Sequence, residues 1–221
     1  MMIDHVQLIE NVPDEVFGPT LKEVEEIDIW DKMPQTRGST QDGMVGQGNK
    51  KQHVFGSCQT IHLRYHKIPA GMAKSVHEHS KVIECADTQA RVLFPHVNKL
   101  VDWIYQTVKG KRLGQIMLAK LLPESGIPYH RDPGPYWEVY KRFHVPIITN
   151  PMVLFYCRHN DKEIHMKSGN LYQLNNLWLH AAENYSPYER IHVIVDIETD
   201  DECFAIEDEP EWLKNLPSGA Y

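Results

Sequence analysis

The chain carries thirteen histidines in 221 residues, and their neighbours decide which of them could do chemistry. His130-Arg131-Asp132 sets an imidazole and a carboxylate two positions apart. In an extended strand such residues point to the same side, so both could grip one metal ion. Composition alone predicts roughly one H-x-D match in a chain like this, and a second one, His159-Asn160-Asp161, does occur. The second lies between two strand-like runs and is followed by Lys162, so it reads as a polar hairpin turn. His130 instead follows the turn Pro123 to Gly126 and the start of a strand at Ile127-Pro128-Tyr129.

A third ligand must come from another strand. Leu177-Trp178-Leu179 is apolar and runs into His180, fifty residues beyond His130. Two histidines and one carboxylate leave three coordination positions open, the donor set of non-heme Fe(II) oxygenases, whereas zinc tends toward four tetrahedral ligands. A 2-oxo diacid co-substrate in such a barrel needs a buried cation for its distal carboxylate. Arg190 stands in front of the apolar strand Ile191 to Ile197, and its forked guanidinium suits that capture. The alternative for Arg190 is a strand end facing solvent. His77-Glu78-His79 has no third ligand or apolar frame in the sequence. His62 and His66 flank Arg64 and could contact substrate, while Tyr129, Trp137 and Trp178 read as packing.

These residues need rigid elements to position them. His96 to Lys109 has apolar residues at helical spacing, with Gly110 as a C-terminal cap. Beyond it the period shortens, and strands are expected over Arg112–Leu122, Tyr140–Ile148, Met152–Arg158, Ile164–Lys167, Asn170–Leu174, Leu177–Ala182 and Arg190–Ile197. Such spacing indicates a β-sandwich or barrel. Val54 to Lys67 suggests a strand pair or an extended edge, and residues 15–33 mix a helical pattern with an extended acidic stretch. Pro34 to Gln52, with four glycines, is a long loop, either a lid or a surface excursion. Glu207 to Leu216 reads as a short capping helix.

Composition bounds the rest. A formal charge of −7 argues against nucleic acid as an obligate partner. No apolar run approaches the roughly 18 residues that span a bilayer, and the acidic start is not a signal peptide. Four widely spaced cysteines suggest neither a disulfide framework nor a zinc ribbon. A cytoplasmic protein with free thiols is expected. The chain reads as one compact domain: 1–95 an N-terminal elaboration, 96–200 the core with its preceding helix, and 201–221 a tail.

From Leu118 to Ile197 the sequence resembles the aspartyl/asparaginyl β-hydroxylase family of Fe(II)- and 2-oxoglutarate-dependent dioxygenases. The matching pieces are Pro123 before a turn, Pro128-Tyr129-His130, Arg142-Phe143-His144-Val145-Pro146-Ile147, Gly169-Asn170-Leu171-Tyr172, Trp178-Leu179-His180-Ala181-Ala182 and Arg190 to Asp196. The resemblance implies a mainly β fold, a double-stranded β-helix of the jelly-roll or cupin type with flanking helices. It implies Fe(II) on His130, Asp132 and His180, with 2-oxoglutarate and O2 as co-substrates. Arg190 would pair with the distal carboxylate, and Arg142 and His144 would line the pocket near the other one. From the residues alone, Arg142-x-His144 could equally be a salt-bridged edge.

Two positions depart from the family pattern. Asp132 stands where animal members have no carboxylate ligand, which restores the ordinary facial triad. Ala119 stands where the family has a serine on the distal carboxylate, so Lys120, Tyr172 or a water would have to substitute. The activity implied is hydroxylation of an unactivated C–H bond, in a free amino acid or a polypeptide. The rivals are a non-catalytic cupin-like protein that binds a metal or ligand, and a zinc hydrolase on the same barrel. Oligomeric state is not legible.

Overall fold

The computed structural model describes residues 6–26, 29–30, 58–69, 81–132, 134–157 and 162–200. In chain order the strands are β1 (Val6–Asn11), β2 (Cys58–His66), β3 (Cys85–Asp87), β4 (Arg112–Leu121), β5 (Ser125–His130) and β6 (Lys141–Ile148), then β7 (Val153–Cys157), β8 (Lys162–Ile164), β9 (Asn170–Leu174), β10 (His180–Asn184) and β11 (Arg190–Glu198). The helices are α1 (Asp14–Glu26), α2 (Pro95–Thr107) and the single turn α3 (Tyr136–Val139). No helix among the described residues is long and apolar enough to cross a membrane.

Two antiparallel sheets form the body. The larger has the order β1-β9-β6-β11-β4-β2-β3 and the smaller β5-β10-β7-β8. From β4 onward the chain passes back and forth between them, β4, β6, β9 and β11 in one and β5, β7, β8 and β10 in the other. This is the double-stranded β-helix, a mainly β fold with flanking helices. β1, β2 and β3, all from residues 1–95, extend the larger sheet at its two edges.

Period-two alternation divides the larger sheet into two faces. Phe143, Val145 and Ile147 of β6, Ile116 and Leu118 of β4, and Ile191, Val193, Val195 and Ile197 of β11 join one core with Val97, Leu100, Val101 and Ile104 of α2. Their alternates, among them Arg142, His144, Arg190, His192 and Asp196, therefore face the space between the sheets. That spacing is why the helices can lock the sheet from outside without touching the chemistry.

α1 and α2 are joined by a buried acid. Both carboxylate oxygens of Glu23 accept from the His96 backbone N–H, and Oε2 also accepts from that of Val97 at 2.8 Å. A negative charge at a helix N-terminus satisfies donors that have no partner within the helix and favours the dipole. The other end of α2 differs from the sequence expectation. The left-handed residue is Lys109 (φ 52°), and the Gly110 N–H donates to the Tyr105 carbonyl at 2.8 Å. Glycine at 110 answers close approach instead: a Cβ there would meet the Tyr105 ring and Ile197 within 2.8 Å.

The strands Arg112–Leu121, Lys141–Ile148, Val153–Cys157, Asn170–Leu174 and Arg190–Glu198 fall within two residues of expectation. Leu177 to Leu179 lead into a strand instead of belonging to it, and β10 runs His180–Asn184. The expectations for Pro34–Gln52, His77–His79, His159–Asp161 and Glu207–Leu216 lie outside the described residues.

Candidate active site

His130 closes β5 and His180 opens β10, and the two are direct partners in the antiparallel ladder. Directly opposed residues share a face, and the two rings lie 4.2 Å apart, centroid to centroid. Each ring is steered by the backbone of its own strand. His130 Nδ1 donates to the Pro128 carbonyl at 2.9 Å and His180 Nδ1 to the Trp178 carbonyl at 2.8 Å. A carbonyl can only accept, so Nδ1 is the donating nitrogen in both rings. His180 is 5% exposed, with Phe155 stacked 5.6 Å away. Burial, helped by the neighbouring His130, pushes it down to about 3, so it stays neutral, the form that ligates metal.

Asp132 follows on the irregular chain after β5, its N–H held by the Asn176 carbonyl at 3.0 Å. Its carboxylate accepts from Arg142 Nη1 at 3.0 Å. Burial alone would raise this acid, but Arg142, with His130 and His180, outweighs burial and keeps it below the ordinary range. Among the described residues no group of three or more His, Cys, Asp or Glu side chains stands arranged to hold a metal ion. The two histidines are together, and the aspartate beside them is turned to its arginine.

Arg142 lies in a buried network that the sequence did not reveal. Its Nε and Nη2 donate to Asp196 at 2.9 and 3.0 Å, and its guanidinium carbon is 4.3 Å from the centre of the Trp137 ring. Asp196 is fully buried and also accepts from the Tyr136 hydroxyl at 3.2 Å. That hydroxyl in turn accepts from the Gln115 N–H at 2.7 Å. Burial pushes Asp196 up, with Arg142 and Tyr136 opposing. Gln115 Nε2 continues to His66 Nε2 at 3.1 Å, and His66 Nδ1 donates to the Val82 carbonyl at 2.7 Å. His66 is thereby committed to the framework.

At the other end of the interior Arg190 is 5% exposed, and its Nε has no hydrogen-bond partner. No carboxylate among the described residues pairs with it; its neighbour Glu189 is taken by Lys120 at 3.1 Å. Burial pulls Arg190 down to about 10, opposed only by Cys58. With His192 and Thr149 it lines a small cavity walled by Val153, Phe155, Ile164, Met166 and Ala182. His144 and His192 meet at 3.3 Å, Nδ1 to Nδ1, and both are buried. Burial, then the arginines, holds both well below the usual histidine range.

The sequence thus pointed to His130, Asp132, His180, Arg142, His144 and Arg190, all of which the fold places between the two sheets or at their edge. It did not single out Asp196, Tyr136 and His192, which the fold joins to Arg142 and His144. For His192 and Asp196 a signal was present: in the strand from Arg190 to Asp196, polar residues fall at i, i+2 and i+6 among Ile and Val. That is one face of a buried strand carrying charge and imidazole.

The jelly-roll interior thus holds a histidine pair at one end and, at the other, an arginine with no acid partner among the described residues. The aspartyl/asparaginyl β-hydroxylase family model matches residues 77–200, more than half of the chain. The chain belongs to this family, and it is a 2-oxoglutarate-dependent dioxygenase that hydroxylates an unactivated C–H bond. No curated protein matches the sequence. Among solved structures, the collagen prolyl hydroxylase of Paramecium Bursaria Chlorella virus-1, as its 2OG complex, aligns with TM-score 0.48 and 12% identity over 89% of this chain and 97% of that one. A Pseudomonas putida prolyl-4-hydroxylase gives 0.47 and 10% over 89% and 92%. A Burkholderia pseudomallei 2OG-Fe(II) oxygenase family oxidoreductase gives 0.46 and 10% over 66% and 68%.

Proposed function

We propose that Fe(II) is held by His130, Asp132 and His180, and that the distal carboxylate of 2-oxoglutarate is held by Arg190. The observation that carries this reading is Arg190: a buried cation with no acid partner among the described residues, beside a cavity on the barrel interior. An unpaired buried charge is costly, and a ligand carboxylate removes that cost.

The residues fit the metal as well. Both histidines use Nδ1 for a backbone carbonyl, so Nε2 is the nitrogen that would face the ion. Asp132 supplies the carboxylate of the facial triad and stays ionised beside Arg142. When bound, the metal and O2 supply the oxidation, converting 2-oxoglutarate to succinate and CO2 as the substrate C–H becomes C–OH. The protein's own part is to orient these groups and exclude water. Arg142, clamped by Asp196, fixes the direction of the Asp132 carboxylate. His144 lines the interval between the two ends, near Arg142, Arg190 and His180. The substrate is an amino-acid side chain, free or in a polypeptide, a reading supported by membership in the family.

The test is an anaerobic titration of the Fe(II) protein with 2-oxoglutarate, following the metal-to-ligand charge-transfer absorbance. Arg190→Met should retain iron and weaken 2-oxoglutarate by about 2–4 kcal/mol, the loss of a bidentate pair in a dry pocket. Equal affinity in the variant would sink the anchor. Failure of the wild type to release succinate with any amino acid or peptide, while it binds the metal, would favour a non-catalytic cupin.

A further inference from the structure

The buried imidazole of His192 is not used by the metal site, and its position is specific. In the ladder between β11 and β4, His192 is the direct partner of Ala119. The two therefore share the inward face, where Ala119 packs with Met117 and Ile194. His192 is 3% exposed, lines the same cavity as Arg190, and its Nε2 has no hydrogen-bond partner.

Its hydrogen positions follow from its one contact. His144 and His192 approach Nδ1 to Nδ1 at 3.3 Å, so one of these nitrogens donates and the other accepts. A neutral imidazole carries one N–H, and in this neutral pair one Nε2 is a donor and the other an acceptor. The imidazole beside Arg190 faces the anion that Arg190 calls for, and a carboxylate accepts only. The donor is therefore His192 Nε2–H, with His144 Nδ1–H donating to His192 Nδ1 and holding the ring. Thr149 Oγ1 lines the same cavity, is also without a hydrogen-bond partner and is a further donor that the His192 variants leave in place, whereas Lys120 and Tyr172 are placed otherwise. Lys120 lies on the opposite face, bonded to Glu189 and 4.3 Å from the centre of the Trp30 ring. The Tyr172 hydroxyl is held by the Lys167 N–H and Asn170 Nδ2 and is not among the groups that line the cavity.

We propose that His192, held by His144, is the second anchor of the co-substrate's distal carboxylate, donating from Nε2 beside Arg190. This deepens the function proposed above and rests on it. It also gives His144 its role: it acts on the co-substrate through the ring of His192.

The experiment compares two ligands on the anaerobic Fe(II) protein: 2-oxoglutarate, and 2-oxopentanoate, which lacks only the distal carboxylate. His192→Leu should weaken 2-oxoglutarate about ten- to a hundredfold, the usual effect of one hydrogen bond to a charged group. It should leave 2-oxopentanoate unchanged. His192→Gln, whose amide nitrogen reaches the place of Nε2, should bind within about threefold of wild type. Ala119→Ser added to His192→Leu should recover part of the loss, because the hydroxyl arises directly across the ladder. In wild-type protein carrying 15N-histidine, 2-oxoglutarate and not 2-oxopentanoate should move the Nε2–H resonance that His192→Gln lacks; this holds even where the leucine variant does not fold. An unmoved resonance, unchanged 2-oxoglutarate affinity in His192→Leu, or equal losses for both ligands overturns the proposal. If Arg190→Met binds like wild type while His192→Leu does not, the arginine reading falls and the histidine stands. If wild type binds no 2-oxoglutarate, both fall.

Discussion

Replacing Asp196 by asparagine keeps the shape of the side chain and removes its charge. The wild-type carboxylate takes two hydrogen bonds from Arg142 and one from Tyr136 in a fully buried setting. Breaking one side of a buried ion pair costs about 3–5 kcal/mol. Asparagine keeps one acceptor and Asp132 still faces the guanidinium, so the lower end applies, about 3 kcal/mol. For a domain of this size that is a fall in Tm of about 6–12 °C. The second consequence reaches the metal. Arg142 then leans wholly on Asp132, and iron must compete with the arginine for that carboxylate, so Fe(II) affinity should drop about ten- to a hundredfold. Thermal denaturation of the metal-free protein gives the first number, and anaerobic Fe(II) titration against a competing chelator gives the second. A folded Asp196→Asn protein with wild-type Fe(II) affinity would refute the idea that Arg142 links Asp196 to the metal site.

Four further outcomes can be checked. Arg190→Lys should rescue 2-oxoglutarate binding only partly relative to Arg190→Met, since an ammonium cannot fork across two oxygens; full rescue in the same titration would count against a bidentate pair. Gly114→Ala should destabilise by about 1–3 kcal/mol in urea denaturation, because a Cβ there collides with the Tyr136 hydroxyl and lies 2.9 Å from the buried Tyr140 ring. Gly126→Ala should cost under about 0.5 kcal/mol, as the group it meets is the half-exposed Glu183 carboxylate, which can swing away. His144 and His192 have folded pKa values pushed down by burial and by Arg142, Arg190, His180 and His165. The unfolded chain then takes up protons that the native state refuses, so stability holds above pH of about 6.5 and falls below it, by about 1.4 kcal/mol per pH unit for each histidine. A flat urea midpoint between pH 7 and 5 would contradict their burial as neutral rings.

How much of this was legible in the sequence depended on whether the signal was local. α2 and β11 carry their periodicity in consecutive residues, and both were found close to their bounds. β1 was not, since Val6 to Asn11 is half polar and becomes a strand only by pairing with β9. The same limit applied at the site. His130 and Asp132 could be put forward as a pair because two positions of one segment define them. Arg142 was assigned to the co-substrate, yet the fold surrounds it with Asp196 and Asp132, fifty-four residues and ten residues away. A side chain that satisfies a distant partner leaves no mark in its own neighbourhood. His192 was hidden for another reason: a histidine within an Ile/Val strand looks like a tolerated core residue until its ladder partner is known to be Ala119.

The two ring nitrogens that steer His130 and His180 are held by main-chain oxygens of Pro128 and Trp178. Every amino acid supplies such an oxygen, so the aim of both imidazoles is independent of what side chains positions 128 and 178 carry, provided the strands keep their path. Mutational drift can therefore rework the walls around the histidines, and with them the substrate that fits, without disturbing their direction. A scaffold wired in this way separates the part that must stay constant from the part that diversifies. Variant libraries confined to the neighbouring side chains should alter selectivity far more often than they abolish metal binding.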